Sequence, residues 1–228
     1  MKLEKERIIS TIMDQVYEVL KENIVNGTLE PGQRIQELQI AKELNVSRSP
    51  VRSAITRLIG EGLLESIPNK SVCVRRLGER DIIEAYEFRL IVEQYAVRKV
   101  IDHFNDEIKG RLSQFRIAFK TYSNIDQLGD YMRIDSEFHE YIVVVSGNKV
   151  IKEALDKVSM LINPFRVFAL SSPNRFYDSI EEHTDIVDAI LRLDSKAAVE
   201  LCSRHLTLAK EAILRHLKEK KEPASISS

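Results

Sequence analysis

The sequence predicts a mainly α protein with an N-terminal winged helix-turn-helix and a C-terminal antiparallel helical bundle. The chain has 228 residues, enough for two domains. Up to residue 76, short apolar segments alternate with Gly- and Pro-containing turns, whereas from Leu77 onward Gly and Pro are rare and helical periodicity dominates. We therefore place the winged helix-turn-helix at 1–76 and an all-helical domain at 77–220. A charged and then Ser-rich tail at 221–228 is expected to be disordered.

Three helices and a hairpin are predicted in the first region. Asn26-Gly27 ends the first helix, and Pro31-Gly32 suits a type II turn before the second. Ser47 is placed to cap the third helix, with Pro50 in its first turn. The predicted helices are 10–25, 36–44 and 47–60, followed by strands 63–66 and 72–75, joined by Pro68-Asn69-Lys70.

Six helices are predicted in the second region. Polar breaks such as Ser146-Gly147-Asn148 and Asp194-Ser195 separate apolar stripes with helical spacing. The expected ranges are 79–102, 105–122, 125–146, 148–170, 174–193 and 195–219.

The charge distribution favours nucleic-acid binding by one part of the chain only. The formal net charge is -1, yet residues 45–76 carry six basic and two acidic side chains. Such a basic patch can bind phosphates although the total charge is near zero. Cys73 and Cys202 are expected to be free thiols. The charged N-terminus does not resemble a signal peptide and no apolar run reaches ~20 residues, so we expect a cytoplasmic protein with no membrane association.

The third helix has one apolar and one polar side. Val51, Ala54, Ile55 and Leu58 share a face that should pack on the first two helices, which leaves Ser49, Arg52, Ser53 and Thr56 free to meet DNA. Arg48 lies one turn before Arg52, and arginine suits bidentate contacts with guanine. The alternative is a solvated charged face.

Polar residues interrupt the apolar stripes of the second region. Asp135 and His139 lie one turn apart in one stripe, and His183 and His205 occupy core-like positions in two later helices. A buried carboxylate or imidazole is costly unless it is paired or bound to a metal. The four residues could converge in the bundle as ligands of zinc, nickel, iron or manganese. Alternatively, each histidine is a hydrogen-bonded core residue and Asp135–His139 is a simple pair.

The first region resembles the DNA-binding domain of the GntR family. The resemblance rests on the segments Leu29-Glu30-Pro31-Gly32-Gln33-Arg34-Ile35, Ile40–Leu58 with its Val46-Ser47-Arg48-Ser49-Pro50-Val51-Arg52 run, and Glu61-Gly62-Leu63-Leu64. It implies that Arg48 and Arg52 contact the operator. The predicted DNA-binding set is completed by Arg34, Ser47, Ser49 and Lys70. The family usually has a glycine at the wing tip, where this chain has Asn69-Lys70-Ser71, which leaves the minor-groove contact open.

Residues 79–217 resemble the ligand-binding (FCD-type) domain of the FadR branch of that family, in its shorter six-helix subgroup. The resemblance implies a divalent metal held by Asp135, His139, His183 and His205, which stand in the segments Asp135-Ser136-Glu137-Phe138-His139, Glu181-Glu182-His183 and Arg204-His205-Leu206. It also implies a small carboxylic acid as effector, with Arg89 facing the pocket. A guanidinium would grip a carboxylate, although Arg89 could instead form an i,i+4 salt bridge with Glu93.

The resulting hypothesis is a homodimeric DNA-binding transcription regulator, expected to be a repressor, that a metal-bound metabolite controls. Two alternatives remain open. One is a metal-dependent helical-bundle hydrolase using the same Asp and His residues. The other is a DNA-binding protein with no effector, in which the polar core residues are only hydrogen-bonded.

Overall fold

The computed structural model describes residues 11–67 and 71–219, and the chain divides into two compact units. The first unit is Met1–Arg76 and the second is Leu77–Ser228. Within the described residues, no helix has both the length and the apolar character needed to cross a membrane.

The described part of the first unit contains three helices and a small sheet. The helices are α1 (Ile12–Val25), α2 (Glu37–Glu43) and α3 (Arg48–Gly60), and the strands are β1 (Arg34–Ile35), β2 (Leu64–Ile67) and β3 (Ser71–Val74). The sheet is antiparallel in the order β1-β3-β2. The short strand β1 was not predicted. It adds Arg34 to the edge of the hairpin, opposite Cys73.

Capping residues and turn residues determine where the helices of this unit begin and end. Thr11 and Asp14 form a capping box at the start of α1, which satisfies backbone donors that the helix leaves free. Gly32 has a φ of 86°, a left-handed conformation that glycine adopts without a steric penalty, in the Pro31-Gly32 turn. Asn45, with a φ of 52°, makes the tight joint between α2 and α3.

Buried apolar residues of α1 and α3 form the core of the first unit. From α3 the buried residues are Val51, Ala54, Ile55 and Leu58, the face expected from the sequence. From α1 they are Val16, Tyr17, Leu20 and Ile24. Leu38 of α2 is 67% exposed and lies outside this core.

The second unit is a helical bundle. Its helices are α4 (Glu79–Asp102), α5 (Asp106–Thr121), α6 (Leu128–Val145), α7 (Lys149–Leu170), α8 (Pro173–Leu191) and α9 (Ser195–Glu219). A 3-10 turn, Ile125–Gln127, precedes α6 because Asn124 and Gln127 form a capping box there. α9 packs against both α4 and α8, and α6 packs against α4. The predicted architecture, a mainly α chain with a winged helix-turn-helix and a helical bundle, is confirmed.

Candidate functional site

The start of α3 presents an exposed basic surface. Arg48 and Arg52 have side chains that are 59% and 64% exposed, while Ser47 and Ser49 beside them are also exposed. Ser47 occupies the N-cap position, but its hydroxyl makes no capping hydrogen bond within the described part of the chain. Arg34 is exposed on β1. The sixth predicted DNA-binding residue, Lys70, lies outside the described residues.

Both arginines are paired with one carboxylate that sequence reasoning missed. Glu37 of α2 accepts hydrogen bonds from Arg52 at 3.1 Å and from Arg48 at 3.4 Å. The hydrogen bond from Arg52 holds the pKa of the Glu37 carboxyl below its usual value. Glu37 therefore stays ionised near neutral pH and partly neutralises the basic surface. The sequence separation between Glu37 and the arginines of α3 did not indicate this contact. The angle between α2 and α3 brings these residues together.

A buried cluster of one carboxylate and three imidazoles lies inside the second unit. Potential ligand atoms of Asp135, His139, His183 and His205 all lie within 4.8 Å of one another, and all four residues are buried. The Nε2 atoms of His139 and His183 are 3.1 Å apart, and Oδ1 of Asp135 is 3.3 Å from Nε2 of His183. The bundle thus brings together the set that the sequence singled out.

Each imidazole of the cluster is oriented by a partner at its other nitrogen. Nδ1 of His139 lies 2.6 Å from Glu93, and Nδ1 of His205 lies 2.7 Å from Glu182. Nδ1 of His183 lies 2.7 Å from the carbonyl of Ser179. These acceptors fix the tautomer with the proton on Nδ1, which leaves Nε2 lone pairs for a metal. Carboxylate or carbonyl partners of this kind are usual behind metal-binding histidines.

The surroundings of the cluster favour neutral imidazoles at His183 and His205 and an ionised carboxylate at Asp135. Burial lowers the pKa of His183 to about 3, although Asp135 opposes the shift, and burial also holds the pKa of His205 well below its usual value. Burial works to raise the pKa of Asp135, but Arg166 and the nearby histidines outweigh it and lower that pKa. Neutral imidazole and ionised carboxylate are the forms that bind metals.

Three buried arginines surround the cluster, and each is paired with a different carboxylate. Arg89 donates to Glu93 at 2.6 Å, and the side chains are 1% and 0% exposed. Arg166 donates to Oδ2 of Asp135. Arg175 binds Glu182 through both terminal nitrogens, at 3.1 and 2.8 Å. The Arg89–Glu93 salt bridge left open by the sequence is therefore present, and Arg89 also lines a pocket beside the cluster.

Sequence reasoning missed Arg166, Arg175 and Glu182. Arg166 could have been noticed, because it is the one charged residue in the apolar run from Pro164 to Leu170. Glu182 does not interrupt an apolar stripe, because it stands directly before His183. The helical periodicity therefore did not indicate that its side chain contacts His205 on α9.

Family comparisons match both units. The family of bacterial regulatory proteins of gntR type matches residues 12–74, and the FCD domain matches residues 84–208. The chain is 33% identical over 209 residues to the HTH-type transcriptional regulator YdhC of Bacillus subtilis, covering 91% of this chain and 93% of YdhC.

Two further proteins show the same likeness. The gluconate operon transcriptional repressor of Bacillus subtilis is 28% identical over 179 residues, which cover 78% of this chain and 72% of the repressor. A crystal structure of a GntR transcriptional regulator from Rhodococcus superposes with a TM-score of 0.75 at 24% identity, covering 89% of this chain and 97% of that one. The structural likeness shows a shared fold.

Proposed function

Because the chain belongs to the GntR family of bacterial DNA-binding transcription regulators and carries an FCD domain, we propose that it is a repressor whose operator affinity is set by a metal-bound carboxylic acid. The convergence of Asp135 and three Nε2-presenting histidines, each oriented from behind, carries the effector half of this proposal. The exposed arginines of α3 carry the DNA half.

In the DNA half, α3 enters the major groove and Arg48 and Arg52 contact guanine edges and phosphates. Their exposure and their position at the helix start suit the recognition helix of a helix-turn-helix. Ser47, Ser49, Arg34 and Lys70 contact the backbone around them. The protein acts as a homodimer, so that two winged domains meet the half-sites of a palindrome.

In the effector half, Asp135, His139, His183 and His205 hold one divalent ion. The residues fit such an ion because their donor set of three nitrogens and one oxygen suits zinc, nickel, iron or manganese. The ion supplies a Lewis-acidic position that a carboxylate oxygen can occupy. Glu93, Glu182 and the Ser179 carbonyl keep the imidazoles in place around it.

The effector carboxylate also meets Arg89, which lines the adjoining pocket. That a similar protein represses a gluconate operon supports an acidic metabolite as the ligand class. Effector binding changes operator affinity only if the ligand binds the DNA-bound and free states with different affinity.

Selection from a random DNA library tests the DNA half. The purified full-length protein, at about 0.15 M salt, should enrich a palindromic sequence whose half-sites lie about one helical turn apart. Light scattering should give the mass of two chains. A protein that retains random DNA without enriching any sequence contradicts the repressor function.

Metal content tests the effector half. Elemental mass spectrometry of untagged protein should find about one divalent ion per chain, consistent with a single four-ligand site, and His183→Ala should lose it. His103→Ala is the control, because the His103 ring is exposed and is not part of the cluster. Wild-type protein that stays metal-free after incubation with zinc and nickel rules out the metal site and leaves the DNA half standing.

A further inference from the structure

The pocket beside the metal cluster is small and unusually rich in cationic groups. Arg89, Arg166 and Arg175 line it together with Tyr86, Asp135 and His205. The cavity has a volume of about 20 Å³, which is room for about one water molecule. A ligand must therefore be short, and side chains must move to admit it.

The arginines around this pocket are matched one for one by carboxylates. The three arginines face three carboxylates, Glu93, Asp135 and Glu182, one in each pair. A divalent ion would add two positive charges to a buried site, and uncompensated buried charge is costly. Two negative charges on the ligand would restore the balance, whereas a monocarboxylate would supply one.

Two buried donors on the pocket wall lack hydrogen-bond partners among the described residues. They are the hydroxyl of Tyr86, which is 0% exposed, and Nε of Arg175, which is 8% exposed. Buried polar groups are nearly always hydrogen-bonded, so an orphaned pair in one pocket needs an explanation. The two donors come from different helices, α4 and α8, and Arg175 already uses its terminal nitrogens on Glu182. Both donors call for an acceptor that residues 11–67 and 71–219 do not provide.

We infer that the effector is a short dicarboxylate: one carboxylate binds the metal ion, and the second accepts hydrogen bonds from Nε of Arg175. The Tyr86 hydroxyl donates to the same ligand from the α4 side. This inference rests on the proposed effector site and names its ligand class. A phosphate also carries two charges and is therefore included as a competing probe. Arg175 is then the residue that separates dicarboxylates from monocarboxylates.

Calorimetric titration of the zinc-loaded, full-length protein tests the inference. Succinate and butyrate are matched probes, because both have four carbons and only succinate has a second carboxylate. Succinate should bind at least about tenfold more tightly, the usual effect of a hydrogen bond to a charged group. Inorganic phosphate is the third probe and should bind more weakly than succinate.

Two variants test whether the orphaned donors cause the tighter binding of succinate than of butyrate. Arg175→Lys keeps a charge beside Glu182 but loses Nε, so it should lower succinate affinity about tenfold and lower butyrate affinity much less. Tyr86→Phe removes only an unpaired hydroxyl, so it should fold as well as the wild type and still bind succinate several-fold more weakly. The second variant decides the matter if the first does not fold.

Several outcomes overturn the inference. They are equal affinity for succinate and butyrate, binding of neither, tighter binding of phosphate, or succinate affinity that Tyr86→Phe leaves unchanged. Zinc binding and operator selection are measured on the same preparation. If both persist while succinate shows no preference, the ligand class is wrong and the regulator function remains.

Discussion

Arg48 and Arg52 at the start of α3 share one carboxylate and are 59% and 64% exposed, whereas Arg89 of α4 has its own carboxylate and is 1% exposed. The difference follows from solvent. An exposed ion pair is stabilised little and can exchange its partner for a DNA phosphate at small cost. A buried arginine must keep a partner, because an unpaired buried charge costs several kcal/mol. Arg48 and Arg52 can therefore exchange Glu37 for DNA phosphates. Arg89 changes its contacts only when a ligand supplies new charge.

Helix α4 contains a matched pair of salt bridges that tests this contrast most strongly. Arg89–Glu93 and Arg80–Glu84 have the same i,i+4 spacing, with distances of 2.6 and 2.7 Å, but only the first is buried. Arg89→Met should lower the free energy of unfolding by about 3–5 kcal/mol, because Glu93 remains buried without its main counter-charge. Arg80→Met should leave it unchanged within error. Urea denaturation of both variants provides the measurement, and equal midpoints would contradict the contrast.

Helix α3 offers the second test, on operator binding. Arg52→Ala should weaken binding to the selected operator about ten- to hundredfold, the range of a lost bidentate base contact. The control is Arg57→Ala on the same helix. Its guanidinium lies 3.8 Å from the Tyr17 ring centre and pairs with Glu61, so it should lower the melting temperature and spare operator affinity. Fluorescence anisotropy with labelled operator measures both variants, and a similar loss in the two would place the contact surface elsewhere.

The outer elements and the cluster differ in how far the sequence predicts them. Long amphipathic helices such as α4 and α9 were placed at their observed bounds, because many periodic positions define them. β1 was missed because two residues cannot show an alternating pattern, and α6 was started too early because the Asn124 cap opens a 3-10 turn. These errors reflect short-range geometry that periodicity does not contain.

Within the candidate site, residues that interrupt apolar stripes could be found from the sequence. Asp135 and the histidines stand at core positions of their own helices, so helical spacing alone marked them. Glu37, Arg166, Arg175 and Glu182 could not be placed in the same way. The long side chains of Glu37, Arg166 and Glu182 reach partners on other helices, and only the packing of those helices determines the contact. Arg175 pairs with Glu182 seven residues along its own helix, a spacing outside the i,i+3 and i,i+4 rules.

The buried cluster is expected to respond to pH through His183. The pKa of His183 is about 3 in the folded chain against an ordinary value of 6.5, so the unfolded chain takes up the proton first as the pH falls. The free energy of unfolding of the metal-free protein should therefore decrease between about pH 6.5 and about pH 4.5. In His183→Gln this decrease should be smaller by about 1 kcal/mol per pH unit. Denaturation curves in the presence of a chelator measure both slopes, and parallel slopes would show that His183 is protonated in the folded chain.

The smallest effect is expected from the carboxylate that Arg48 and Arg52 share. Glu37→Gln should raise affinity for random DNA a few-fold at about 0.05 M salt, because the arginines lose a competing partner, and the gain should fade at about 0.3 M salt as screening increases. The control is Glu43→Gln on the same helix, which removes the same charge. Glu43 accepts a hydrogen bond from Gln39 instead of from the arginines. An equal gain in both variants would mean that only net charge matters. A gain confined to Glu37→Gln would show that this carboxylate limits non-specific binding. The ratio of operator affinity to random-DNA affinity should then be smaller in the variant than in the wild type.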